Sequence, residues 1–332
     1  MQSTGGRLFG GKAETMTSAP FSQGVPEVVV LGGTGFVGRA LAETWPAVHR
    51  RPRYLVHRSF PRWLSDSGIR VQRVDLDDPS EVRAALAGGN VLINLLRPDG
   101  RGWYPNLLRR LGPSFGDVGL RRCVHASSID VYAGSAQGLI DEETPVRPLS
   151  RYEEEHCEAE RNIAGGFPEA AILRLGAVFG PGGRNVVSFA QEMADASFPK
   201  LALRRALYGE RRMHLVSVGL VARALIHFAV DVCVDAPTVV LLTQDDDSDN
   251  NFAFVQDTLA ESFGRQPLRN VPALPPAALS LALRLRGLPS QAARRRFSAQ
   301  KAKGFGLRAD GFGEALRNYA RMLAVDAEER HI

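Results

Sequence analysis

The residues best suited to chemistry in this chain are the glycines of Val28-Val29-Val30-Leu31-Gly32-Gly33-Thr34-Gly35-Phe36-Val37-Gly38. They satisfy Gly-x-Gly-x-x-Gly from Gly33 and Gly-x-x-Gly-x-x-Gly from Gly32. One glycine allows a turn with unusual dihedrals, a second lets the backbone approach a pyrophosphate, and a third lets a helix pack against a sheet. A helix that opens at such a turn offers unpaired N–H groups and the positive end of its dipole to phosphates. Among 33 glycines a bare match would carry little. It gains force here because a buried-strand run precedes it and helical spacing follows. The turn therefore points to a bound dinucleotide, held by Gly32, Gly33, Thr34, Gly35, Phe36, Val37 and Gly38.

Other chemistries find less support. The 7 histidines form no His-Glu-x-x-His cluster, and no Gly-x-Ser-x-Gly elbow occurs. Asp245-Asp246-Asp247-Ser248-Asp249-Asn250 has the look of a calcium loop, yet Asn250 stands where glycine is needed and Gln256 where glutamate is needed. It reads as a solvated loop, and no metal is expected. The 3 cysteines, Cys123, Cys157 and Cys233, are far apart, which argues against a disulfide framework or a zinc site and suits a reducing cytoplasm. The net charge of +5 over 332 residues is modest and carried by arginine, with no basic stripe interleaved with aromatics, so nucleic acid is not an expected partner. No apolar run approaches the roughly 18 residues that cross a bilayer, and a soluble, cytoplasmic protein is expected.

The positioning elements alternate. Val28–Leu31 is a continuous β-branched run, as in a strand buried on both faces, and Phe36, Val37, Ala40 and Leu41 then recur at helical spacing. Further strands are expected at Tyr54–Val56, Val71–Val74, Val91–Leu96, Cys123–Ala126, Ala171–Leu175 and Val239–Leu242. Helices are expected at Ser80–Leu86 with Ser80 as cap, at Leu107–Leu111, at Tyr152–Ile163 and at Val186–Ala194, with a strand running into a helix over Leu215–Ala229. Leu203–Met213 reads as irregular, Arg294-Arg295-Arg296 as an exposed helix face, and the chain from Phe252 as helices without a strand. The fold class is α/β, a Rossmann-type doubly wound parallel sheet with a smaller, mostly helical C-terminal substrate lobe. The expected division is a disordered leader over 1–25, a dinucleotide-binding domain over 26–179 completed by about 214–245, and a lobe assembled from 180–213 and 250–332.

From the glycine turn onward the sequence resembles the short-chain dehydrogenase/reductase superfamily, in its extended branch of NAD-dependent epimerase/dehydratase type. The resemblance runs from about Val28 to Gly313. Val74-Asp75-Leu76 looks like the family's third strand, whose Asp-Leu pair lies along the adenine, and Asn90–Leu96 looks like its fourth. Ala126-Ser127-Ser128-Ile129-Asp130-Val131-Tyr132 is similar to the catalytic-serine segment, and Tyr104-Pro105-Asn106 stands where the family carries a helix-borne asparagine. Glu143-Thr144-Pro145 and Leu173–Gly182 also match in order. The resemblance implies cofactor contacts from Asp75, Leu76 and Leu95, a serine at Ser128, a catalytic tyrosine at Tyr152 and a supporting Asn106. It also implies a substrate clamp of Arg184, Arg211 and Arg212 on a nucleotide diphosphate.

Two departures matter. The family places lysine four residues after the tyrosine, to lower the phenol pKa and grip the nicotinamide ribose; this chain has His156. A histidine is mostly neutral at pH 7, although Glu153, Glu155 and Glu160 are close enough in sequence to favour its protonation. The second strand ends Leu55-Val56-His57-Arg58 with no acid, and Arg58 stands about 20 residues beyond Gly38, where a ribose-binding acid is usual. Arg58, with His57, suits the 2′-phosphate of NADP, whereas a merely solvated Arg58 leaves NAD as the alternative. The expected function is an NAD(P)-dependent oxidoreductase or epimerase acting on a nucleotide-linked sugar or similar carbonyl metabolite, with a homodimer as a candidate assembly. The alternative is a non-catalytic dinucleotide-binding sensor or assembly protein on the same fold.

Overall fold

The run Val28–Leu31 forms strand β1, buried at all four positions. A computed structural model describes residues 26–285 and 294–330, and the leader expected over 1–25 lies outside them. After β1 come α1 (Phe36–Thr44), β2 (Arg53–Val56), α2 (Arg62–Asp66), β3 (Arg70–Arg73), α3 (Pro79–Leu86), β4 (Val91–Asn94), α4 (Trp103–Asp117) and β5 (Arg122–Ser128). The chain continues through β6 (Leu139–Ile140), α5 (Arg151–Gly166), β7 (Glu169–Leu175), β8 (Ala177–Phe179), α6 (Val187–Asp195), α7 (Phe198–Tyr208), β9 (Leu215–Ser217) and α8 (Val218–Ile226). The last elements are β10 (Thr238–Leu242), α9 (Phe252–Ser262), α10 (Pro276–Leu285), β11 (Arg296–Phe297), α11 (Gln300–Gly304) and α12 (Phe312–Arg330).

Seven strands form one parallel sheet in the order β10-β7-β5-β4-β1-β2-β3. Successive residues of each strand face opposite layers. Val28, Val30, Tyr54, Val56, Ile93 and Val124 join one core with α1 and α8. Val29, Leu31, Leu55, Leu92, Cys123 and Ile172 join another with α3, α4 and α5. Burial on both faces is why these strands read as unbroken apolar runs, and the chain is a doubly wound Rossmann-type fold. The order reverses beside β1, whose neighbours are β4 and β2, so a crevice opens at its carboxyl end.

A third cluster joins Phe179, Met193, Leu201, Val255, Leu259 and Phe312, from β8, α6, α7, α9 and α12. Among the described residues, no helix is long and apolar enough to cross a membrane.

Several local expectations are corrected. The cap of α3 is Asp78, which accepts from Ser80 N (2.8 Å) and Glu81 N (3.4 Å), with Pro79 opening the helix; Ser80 is itself inside it. The arginine-rich stretch is largely helical, because α7 reaches Tyr208 and its arginine stems lie on apolar surface. The Arg204 guanidinium lies over the rings of Phe189 and Phe252, 5.3 and 5.4 Å from their centroids. A strand does follow Phe252: β11 pairs with β6, a two-residue contact that leaves no local period in the sequence. Arg296 belongs to that strand, so the triple arginine is no helix face. Asp245 is fully buried, accepting from Phe297 N at 2.9 Å and facing His214 Nδ1 at 2.7 Å, and Asn250 is buried against Leu215. The acidic run thus begins as a structural clamp and not as a solvated loop.

Candidate functional site

The glycine turn connects β1 to α1 at the carboxyl edge of the sheet. Gly32 has φ 77°, and a Cβ there would lie 2.6 Å from the Leu96 N, so only glycine fits. Gly38 abuts the turn itself: its Cβ would sit 1.9 Å from the Gly33 carbonyl oxygen. Gly35 differs, having open space where its side chain would be. It precedes α1 with no side-chain cap and no acid in the first turn, leaving free N–H groups and an uncompensated positive dipole end. That cradle fits a dinucleotide pyrophosphate. Thr34, Phe36 and Val37 are half-buried beside it, and Leu95 N donates to Leu31 O (2.8 Å), holding the end of β4 against the turn.

At the end of β2 the His57 ring is fixed: Leu76 N donates to its Nδ1 at 3.2 Å, and Asp75 Oδ1 lies 3.5 Å away. Arg58 is exposed, with Asp77 Oδ2 at 3.4 Å as its partner. A pair this open is worth little and is easily exchanged for a better anion.

The expected catalytic residues lie at the end of β5 and the start of α5, beside the end of β4. Ser128 ends β5 and caps the short 3₁₀ turn Ile129–Tyr132, its Oγ accepting from Asp130 N (3.1 Å). Tyr152 stands at the second position of α5 because Ser150 and Glu153 form a reciprocal capping box that sets where the helix begins. Arg97, just beyond β4, donates from Nε to Tyr152 Oη at 3.0 Å, and its guanidinium lies 5.3 Å from the ring centroid. Sequence reading passed over Arg97, which lies far from Tyr152 along the chain. Burial pushes the phenol pKa up, Arg97 pulls it down by charge and hydrogen bond, and Asp130 and Glu153 push it up again.

His156 does not act as a cation. Its ring is buried, edge-on to Tyr152 at 4.8 Å, and both nitrogens lack partners. Burial first, then His125 and Arg97, lower its pKa to about 4 against a weaker opposing pull from Glu160. The three glutamates are engaged elsewhere. Glu153 closes the capping box, Glu155 accepts from Gly100 N (3.0 Å), and Glu160 binds Arg174 (2.6 Å) and Ser127 Oγ (2.6 Å). The imidazole is therefore neutral, as its ordinary pKa suggests, and the protonation that the glutamates could have favoured does not occur. His125 is fully buried with both nitrogens unpartnered, and burial lowers it to about 4 as well.

These rings make stability depend on pH. The unfolded chain takes up their protons near 6.5, the folded chain only near 4, so their contribution is complete above about pH 6.5 and lost as pH falls toward 4. Each ring is expected to cost about 2 kcal/mol between pH 7 and pH 5. Urea unfolding of His156→Gln should show that much less pH dependence than the native chain; parallel curves would contradict the neutral assignment.

Asn106 makes no hydrogen bond to Ser128 or Tyr152 among the described residues. It lies on the exposed side of α4, accepting from Arg109 Nη2 (2.7 Å), while Tyr104 on the opposite side faces Asn94 and His125. The helical period puts Asn106 roughly half a turn from Tyr104.

Of the expected substrate arginines, Arg184 is exposed and Arg212 is tied to the Asp247 and Ser248 carbonyls (2.5 and 3.1 Å). Arg211 is half-buried with an unpartnered Nε, and burial lowers its pKa. Arg295 resembles it: burial and then Arg211 lower its pKa, its Nε is unpartnered, and its Nη2 binds the Ala133 and Ser135 carbonyls just past the Ser128 turn (3.2 and 2.7 Å). A cavity of about 490 Å³ opens beside Arg211, lined also by Tyr208, Glu210, Arg212, Arg294 and Arg296. Arg295 was read as part of an exposed helix face, because β11, which begins at the next residue, is too short to leave a signal.

Comparison with known proteins agrees with this fold. Similar solved structures include MoeE5 in complex with UDP-glucose and NAD, at 22% identity over 91% of this chain and 99% of that one, with TM-score 0.62. UDP-N-acetylglucosamine 4-epimerase from Bacillus cereus is 14% identical over 91% and 96%, with TM-score 0.62. Human epimerase family protein SDR39U1 (isoform2) with NADPH is 18% identical over 90% and 99%, with TM-score 0.60. No curated protein matches the sequence. The profile of the NAD dependent epimerase/dehydratase family matches residues 28–252, and the chain belongs to that family.

Proposed function

We propose that this protein is a nicotinamide-dinucleotide-dependent oxidoreductase or epimerase acting on a nucleotide-linked sugar, with NADP as its cofactor. The observation that carries the reading is the Tyr152 phenol, hydrogen-bonded to a guanidinium at the same sheet edge as the open glycine turn. The turn would hold the pyrophosphate and Arg58 the 2′-phosphate, in exchange for Asp77. When bound, the nicotinamide supplies a hydride acceptor or donor. Tyr152 Oη would give its proton to a substrate carbonyl oxygen as the carbon is reduced, and take it back in the reverse direction. Because the Ser128 oxygen already accepts from Asp130 N, its hydroxyl proton is free to hold that substrate oxygen. Arg211 and Arg295, half-buried with unpartnered Nε atoms, suit a diphosphate better than they suit each other. The complexes of MoeE5 with UDP-glucose and NAD, and of SDR39U1 with NADPH, support the ligand classes.

The test is calorimetry with NADP and NAD, followed by incubation with UDP-hexoses and analysis of the sugar for epimerised or oxidised product. NADP should bind more tightly, and Arg58→Ala should weaken it about ten- to a hundredfold while leaving NAD nearly unaffected. A native preference for NAD, or equal losses for both, would make Arg58 a bystander. Tight dinucleotide binding without turnover of any sugar nucleotide would favour the sensor reading, which the neutral His156 keeps in view.

A further inference from the structure

We propose that Arg97 is the positioning residue of the Tyr152 phenol, supplying from the end of β4 the positive charge that His156 cannot supply from within α5. The inference rests on the reading of Tyr152 as the proton-transfer group. Its first support is contact: Nε reaches the phenol oxygen at 3.0 Å while the guanidinium carbon lies 5.3 Å from the ring centroid. A single side chain thereby fixes both the position of the oxygen and the tilt of the ring. Because the arginine N–H donates, the phenol oxygen is the acceptor, and its own proton stays available to another oxygen.

The second support is placement. Leu95 N bonds to Leu31 O, and Leu96 N to Asn94 Oδ1 (3.1 Å), so the backbone leading to Arg97 is anchored to the glycine turn. Arg97 thus stands between the proposed cofactor cradle and the phenol. Arginine also keeps its charge at every pH the protein meets, so it favours the phenolate without exchanging a proton of its own.

The third support is elimination among the groups around Tyr152. Asp130 and Glu153 are negative, His156 is neutral, and burial itself disfavours the phenolate. Each opposes ionisation or does nothing for it, and among the described residues Arg97 alone assists. When the phenol loses its proton to the substrate oxygen, the O–H bond breaks, the new O–H bond forms on the substrate, and the negative charge left on Oη remains paired with the guanidinium.

A fluorinated tyrosine placed at position 152, titrated by fluorine NMR, reads this interaction directly and needs no turnover. Fluorination lowers the phenol pKa, so the transition falls where the protein stays folded. Arg97→Ala should move the transition upward by about one pH unit or more, since an opposite charge at this range is worth about one to three. Arg97→Lys should restore most of the shift, whereas His156→Gln should leave the transition where it was. An unmoved transition in Arg97→Ala, or a shift produced by His156→Gln instead, would overturn the proposal. Failure here leaves the Tyr152 reading standing, because that reading is tested by turnover in a phenylalanine variant.

Discussion

Gly35→Val is expected to abolish dinucleotide binding while leaving the fold and its thermal midpoint nearly unchanged. The backbone at Gly35 has φ −81° and ψ −179°, an extended conformation that a β-branched residue adopts without strain. A Cβ there meets nothing, so no packed neighbour has to move. The same open space, however, is the approach to the uncapped N–H groups of α1. Two methyl groups in it would keep a pyrophosphate from those donors, and the loss should exceed a hundredfold, about 2.7 kcal/mol or more. Gly38→Ala is the instructive contrast: its Cβ would enter the Gly33 carbonyl, and that variant should lose the fold together with binding. Calorimetry and thermal unfolding on both variants separate the two effects. Unchanged NADP and NAD affinity in a folded Gly35→Val protein would remove the turn from the cofactor site.

The glycine turn was legible because its requirements are local. Strand, turn and helix are contiguous, and each glycine answers to neighbours a few residues away. The strands were legible for a related reason, since burial on both faces leaves Val28–Leu31 and Val91–Asn94 without a polar residue until the carboxyl edge. What escaped sequence reading depends on contacts between distant segments. Arg97 acquires its role only when β4 and α5 converge. Arg295 acquires its place through β6 and β11, two residues each. Asn106 is a different case: its position in the motif order is right, and the helix phase leaves it exposed and paired with Arg109. His156 shows the limit most sharply. Three nearby glutamates suggest a charged ring, yet each has a partner elsewhere, and burial decides the protonation state.

The largest effect on activity is expected from Tyr152→Phe. The substitution removes one oxygen whose only hydrogen-bond partner among the described residues is Arg97 Nε, and Arg97 is exposed enough to be solvated instead. The ring keeps its edge contact with His156, so neither α5 nor the adjoining core should shift. Dinucleotide affinity should stay within about twofold, because neither the glycine turn nor Arg58 touches the phenol. Turnover of a sugar nucleotide should fall about 10²- to 10⁴-fold, the range general acid–base catalysis supplies, with kcat reduced more than KM is changed. A purely structural tyrosine would give the reverse pattern, with stability or affinity altered and kcat preserved. Ser128→Ala sharpens the comparison, since it removes a hydrogen bond to the substrate oxygen and not the proton donor. It should cost less than Tyr152→Phe, and combining the two should cost less than the product of the single losses, because both act on one oxygen atom. Full turnover in Tyr152→Phe on an authentic substrate would mean that the proton travels by another group, and Arg97 would then have no phenolate to stabilise.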